Sequence, residues 1–137
     1  MNPSLVLDAG VLTLYFAGDR RVKDFFDEID NERAVGLLSE VNLAEYYYKT
    51  CRKLGRETAD ARYFMLKSSK LRVARDEELT RLAALEKCQQ RVGLSLADCF
   101  ALALARREKA ILLTTDSELK KARDVQVKLF TIRLVPR

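Results

Sequence analysis

Apolar residues along this chain follow two spacings in alternation. Short apolar runs at Ser4 to Asp8, Ala34 to Leu38, Leu71 to Ala74 and Ala110 to Thr114 have the length of buried strands. Between them, apolar positions recur three and four residues apart, as Val22, Phe25, Phe26 and Ile29 do within 20–30. This spacing predicts helices over Val11 to Phe16 (ending near Gly18), Arg20 to Asp30 and Glu57 to Ser69. It predicts another from a Ser39 N-cap to about Leu54, where Gly55 is the stop. Further helices read over Asp76 to Arg91 (stopping near Gly93), from a Ser95 cap to about Glu108, and over Asp116 to Arg123. Val127 to Leu134 reads as one or two short strands.

Strands alternating with helices imply an α/β fold, a mostly parallel sheet with helices on both faces. Ligands of such sheets bind beyond the carboxyl ends of the strands. Both prolines, Pro3 and Pro136, stand at the ends, and no repeat or linker interrupts the chain. Its 137 residues fit a single domain over 1–137.

Four acids stand out against this pattern. Asp8 and Asp116 directly follow apolar strands and should face the crevice at the sheet's carboxyl edge. Asp98 shares a helix face with Ala101, Leu102 and Ala105, and Glu45 shares one with Val41, Ala44 and Tyr48. A carboxylate on an apolar face needs a partner or a cation. Each acid also has a purely structural use. Asp8 suits the turn after its strand, and Asp116 suits a helix N-cap. Asp98 completes a capping box with Ser95, Glu45 can pair with Lys49 one turn on, and Glu118 favours a helix N-terminus. If the fold gathers the four, they make an oxygen-only pocket suited to a hard divalent cation.

Composition narrows the chemistry. Histidine is absent, which excludes histidine-based triads, dyads and zinc sites. The cysteines, Cys51, Cys88 and Cys99, match no metal-ligand spacing, and Cys99 reads as a core residue of a reduced, cytoplasmic protein. No apolar run approaches a membrane span, and the first residues carry no secretory pattern. The net charge of +5 is uneven. Between 49 and 75, nine lysines and arginines stand against only Glu57 and Asp60. Such a stretch is either a solvated face or an attraction for an anionic polymer. Lys49, Arg52, Lys53 and Arg56 are its candidate contacts to such a polymer. The consecutive Tyr46, Tyr47 and Tyr48 cannot share a face. Tyr48 is expected on the core side with Val41 and Glu45, and Tyr47 on a second face with Leu43 and Leu54.

Four segments carry a resemblance: Leu5-Val6-Leu7-Asp8-Ala9-Gly10-Val11-Leu12, Leu38-Ser39-Glu40-Val41-Asn42-Leu43-Ala44-Glu45, Ser95 to Ala105, and Leu112-Leu113-Thr114-Thr115-Asp116-Ser117-Glu118-Leu119. In this order they resemble the motifs of PIN-domain nucleases, and most of all the VapC toxins of toxin-antitoxin pairs. The resemblance implies a three-layer PIN-like fold. It implies Mg²⁺ or Mn²⁺ bound by Asp8, Glu45, Asp98 and Asp116, with Glu118 a further candidate and Thr114 as the supporting hydroxyl. It also implies an RNA substrate, a homodimer and a cognate antitoxin. One departure is that Ala9 and Gly10 stand where the family often carries hydroxyl or amide side chains, so backbone or water would have to substitute.

The activity so implied is endoribonuclease hydrolysis, in which a divalent cation acidifies water and polarises the phosphate. Two rivals remain open: an aspartate-nucleophile phosphatase built on Asp8, and a catalytically weak or inactive RNA- or protein-binding module of the same fold.

Overall fold

The computed structural model describes residues 2–90 and 93–132. Five strands, all parallel, form one sheet: β1 (Ser4–Leu7), β2 (Val35–Ser39), β3 (Arg72–Ala74), β4 (Ile111–Thr114) and β5 (Val127–Leu129), in the order β3-β2-β1-β4-β5. Six helices connect them: α1 (Ala9–Phe16), α2 (Arg20–Asp30), α3 (Glu40–Leu54), α4 (Arg56–Ser68), α5 (Glu77–Gln89) and α6 (Leu96–Glu108).

The alternation of side chains along β1 builds two cores. Leu5 and Leu7 pack on one face with Leu12, Val22, Phe26, Leu43 and Leu66, which come from α1 to α4. Val6 points to the other, into a cluster with Leu79 and Ala83 of α5 and Leu102 of α6. Adjacent residues of β4 divide likewise, Leu113 to the first core and Leu112 to the second. The fold is thus three-layered, as the resemblance implied. Strands buried on both faces explain why the apolar runs are continuous rather than alternating.

Topology places the crevice. The chain leaves β1 for β2 and β3 on one side, then returns to β4 on the other. Connections therefore diverge where the carboxyl ends of β1 and β4 lie side by side, with Leu7 in register with Leu113.

The helix ends follow local chemistry. Ser39 accepts the Asn42 N–H at 3.0 Å, and Gly55 ends α3 with φ +94°. The segment after β4 departs from expectation. In place of a helix over 116–123, only a 3-10 turn forms, at Ser117–Lys121. One buried side chain, Leu119, anchors it, too little apolar face to carry a longer helix. The expected strand region 127–134 yields β5 alone among the described residues, followed by the buried Phe130; residues 133 and 134, like Arg91 of the expected fifth long helix, lie outside them.

The tyrosine order is also corrected. Tyr46 is the buried one (2% exposed) and Tyr48 is open (44%). The buried stripe of α3 is Asn42, Leu43, Tyr46 and Thr50, nearly opposite the expected stripe on the helix. Tyr47 instead sends its hydroxyl to Asp60 of α4 at 2.6 Å, and Leu54 is exposed.

Gly36 of β2 marks a close approach. A Cβ there would stand 2.6 Å from Leu71 and 2.7 Å from Ile29. Gly36→Ala should lower unfolding stability by about 1–3 kcal/mol through overpacking, measured by urea denaturation. An unchanged midpoint would show that these two side chains yield without cost.

Candidate active site

Asp8 sits at the pivot. It leaves β1 in extended conformation and caps α1, its Oδ1 accepting the Val11 N–H at 2.9 Å. Its Oδ2 accepts the Thr114 hydroxyl from β4, and the Thr115 backbone N–H contributes as well. The residue is 5% exposed. Burial raises its pKa most, these hydrogen bonds oppose the rise, and the nearby negative charge of Glu45 adds to it.

Thr114 joins the two strand ends. Its buried hydroxyl donates to Asp8 and accepts the Asp116 N–H at 2.9 Å. Asp116 in turn caps the 3-10 turn, accepting the Glu118 N–H at 2.9 Å. Across the crevice, Asp98 closes a capping box with Ser95 on α6. The carboxyl of Asp98 is close enough to that of Asp116 for Asp116 to disfavour its ionisation. Asp98 is accordingly pushed up to about 6, by burial first and then by Asp116.

Glu45 stands on α3 with Lys49 at 3.5 Å, so the surface pairing open in the sequence is realised while its charge still reaches Asp8. Glu118 is drawn toward solvent by Lys121 at 3.3 Å. Four acids from four segments are thereby linked: Glu45 to Asp8 by charge, Asp8 to Asp116 through Thr114, and Asp116 to Asp98 directly. Among the described residues, no three acidic or cysteine side chains already form a metal-holding group. The donors are nevertheless oxygen only, and their mutual repulsion is of the kind a cation relieves.

Sequence reasoning missed Asn42. Fully buried, it accepts from the Ser39 hydroxyl and donates to the Ala97 carbonyl at 3.0 Å. It therefore ties α3 to the first turn of α6, fixing the segment that bears Glu45 against the one that bears Asp98. A polar residue on the stripe with Leu43 and Tyr46 was its sequence signal.

The basic candidates divide. Lys49 pairs with Glu45, Arg56 with Asp60 at 3.7 Å, and Arg52 lies over the Tyr48 ring at 5.1 Å. Lys53 is exposed and has no carboxylate within ion-pair distance among the described residues.

The PIN domain family model matches residues 5–125. This chain belongs to the PIN domain family. Similar solved structures include VapBC2 from Rickettsia felis bound to a promoter DNA fragment, at 14% identity and TM-score 0.74, covering 92% of this chain and 98% of that one. The VapC20 toxin of Mycobacterium tuberculosis, described as cleaving the sarcin-ricin loop, aligns at 21% identity and TM-score 0.73 over 90% of this chain and 98% of its own. FitAcB from Neisseria gonorrhoeae gives 20% identity and TM-score 0.64, covering 90% and 95%. At these identities the likeness is one of PIN fold. No curated protein sequence matches significantly.

The Asp98–Asp116 contact makes a titration prediction for the metal-free protein. Carboxyl-carbon NMR should find Asp98 titrating near 6, and Asp116→Asn should bring it down toward the ordinary 3.8 while burial still holds it above. Because the folded value lies above the unfolded one, the stability this group contributes is complete below about 4 and is lost as pH rises through about 6. An Asp98 signal that ignores Asp116→Asn would dissolve the pairing.

Proposed function

We propose that this PIN-domain protein is a metal-dependent endoribonuclease that hydrolyses RNA phosphodiester bonds, acting as the toxin of a type II toxin-antitoxin pair. The observation that carries the reading is the continuous linkage of Asp8, Glu45, Asp98 and Asp116 at the switch point of the sheet. The solved relatives described as VapBC, VapC and FitAB support the toxin role by fold.

Asp8, Glu45, Asp98 and Asp116 are the residues that would hold Mg²⁺ or Mn²⁺; Glu118 is a fifth candidate. When bound, such a cation neutralises charge on the scissile phosphate and acidifies the attacking water. The protein's own groups do the rest. Thr114 ties the Asp8 carboxylate to the Asp116 backbone and so fixes the two segments relative to each other. Asn42 keeps the Glu45 and Asp98 segments from drifting apart. A homodimer, a cognate antitoxin and a cytoplasmic setting complete the proposal.

The phosphatase rival asks Asp8 to attack phosphorus. Its carboxylate is buried, with both oxygens occupied by Val11 and Thr114, which suits a held ligand better than a free nucleophile. The binding-module rival predicts the same fold with no cleavage.

An RNA cleavage assay decides. EDTA should abolish activity, and added Mg²⁺ or Mn²⁺ should restore it. Asp8→Asn and Asp98→Asn should each lower cleavage by on the order of 100-fold with the circular dichroism spectrum retained. Cleavage undiminished in chelator, or in both variants, would overturn the mechanism. No cleavage of any RNA by the native chain would favour the binding module.

A further inference from the structure

One groove adjoins the acids and is not used by them. It runs between the end of α1 and the second half of α3, with α4 as its far wall, and encloses about 370 Å³. Phe16, Ala17, Tyr46 and Leu54 supply an apolar floor and side, while Lys49, Lys53 and Arg62 supply charge. No acid lines it.

Arg62 gives the groove its character. Its guanidinium packs over the Phe16 ring at 4.9 Å and donates to the Tyr46 hydroxyl at 3.2 Å. The Phe16 ring is itself stacked with Tyr46 at 5.6 Å. Neither partner carries negative charge. Among the described residues no carboxylate stands within ion-pair distance of Arg62, although the side chain is half-buried. A fixed guanidinium without a counter-charge is pre-organised for an anion, and its planar fork suits a phosphate. Lys49 and Lys53 lie one turn apart on α3, on the opposite wall.

Position supplies the rest. Lys49, which lines the groove, pairs with Glu45 at 3.5 Å, so the groove adjoins the Glu45 end of the acidic set. From Glu45 to Lys53 the helix advances about 12 Å, room for a strand to continue past the point of cleavage.

We propose that this groove holds the single-stranded RNA backbone flanking the scissile phosphate, with Arg62, Lys53 and Lys49 contacting successive phosphates and Phe16 and Leu54 giving bases an apolar surface. The inference rests on the nuclease reading and deepens it, since charge complementarity and continuity with the acids select a nucleic acid strand over a protein segment.

Fluorescence anisotropy with a labelled single-stranded RNA of about a dozen nucleotides tests it. The protein carries Asp98→Asn throughout, so that the strand stays whole. Lys53→Gln and Arg62→Gln together should weaken binding by on the order of tenfold at about 0.1 M salt. They should flatten the slope of log affinity against log salt by about 1.4, two phosphate contacts at roughly 0.7 each. The control Lys109→Asn, at the amino end of β4 and away from the crevice, should leave the slope unchanged. If Arg62→Gln disturbs the Phe16–Tyr46 packing and the fold, Lys53→Gln alone should still remove about 0.7 from the slope. A slope unmoved by Lys53→Gln and by the double variant overturns the proposal. The two readings fail separately: RNA cut by the native protein with an unmoved slope removes only the groove, whereas RNA bound through the groove but never cut removes only the nuclease.

Discussion

A carboxylate buried between two parallel strand ends is the constraint on which this structure turns. Asp8 is held by an N–H of its own helix and by a hydroxyl reaching across from β4. An ionised group so placed is stable only while those donors stay aimed at it. Its position therefore dictates the register of β1 on β4, the start of α1 and the orientation of Thr114. Thr114 then fixes the Asp116 backbone, so one hydrogen-bonded link sets the spacing of two acids whose sequence positions are over a hundred residues apart.

Helix termini make the cluster tolerable. Asp8 caps α1, Asp98 sits in the first turn of α6, and Asp116 caps the 3-10 turn. Each carboxylate meets backbone N–H groups at the positive end of a helical segment, which offsets part of its repulsion from the others. The compensation is incomplete: burial first, and neighbouring acids after it, hold the pKa of Asp98 and Asp8 above the ordinary carboxylate value. The structural and functional readings of these acids are therefore not alternatives. Capping orients the side chains, and the residual repulsion leaves them receptive to positive charge.

Much of this was legible in the chain because it depends on local rules. Apolar runs gave β1 to β4, Ser39 and Ser95 gave helix starts, and acids placed after strands gave the crevice. What escaped depends on tertiary packing. Packing against the sheet selects the α3 face of Tyr46 over that of Tyr48, and periodicity alone cannot choose between them when three tyrosines are adjacent. Asn42 looks like an ordinary helical asparagine until α6 presents the Ala97 carbonyl to it. Arg62 looks like one more surface cation until Phe16 and Tyr46 enclose it without an acid. The shortened turn after Asp116 reflects the same limit, since only Leu119 finds a core to enter.

The departure at Ala9 and Gly10 has a structural counterpart. A Cβ on Gly10 would stand 2.0 Å from the Thr115 hydroxyl oxygen and 3.1 Å from its Cβ. Thr115 therefore occupies the space into which a side chain at position 10 would grow. It also lends its backbone N–H to Asp8. With no side chain at position 10, this chain brings the Thr115 hydroxyl from the end of β4 into that neighbourhood. The two features constrain each other: Gly10 is needed because Thr115 is there, and Thr115 is close to Asp8 because Gly10 lets β4's exit approach α1. Gly10 after the first acid and the paired threonines Thr114 and Thr115 are thus one arrangement. The acid between them keeps a polar surround drawn from a different part of the chain.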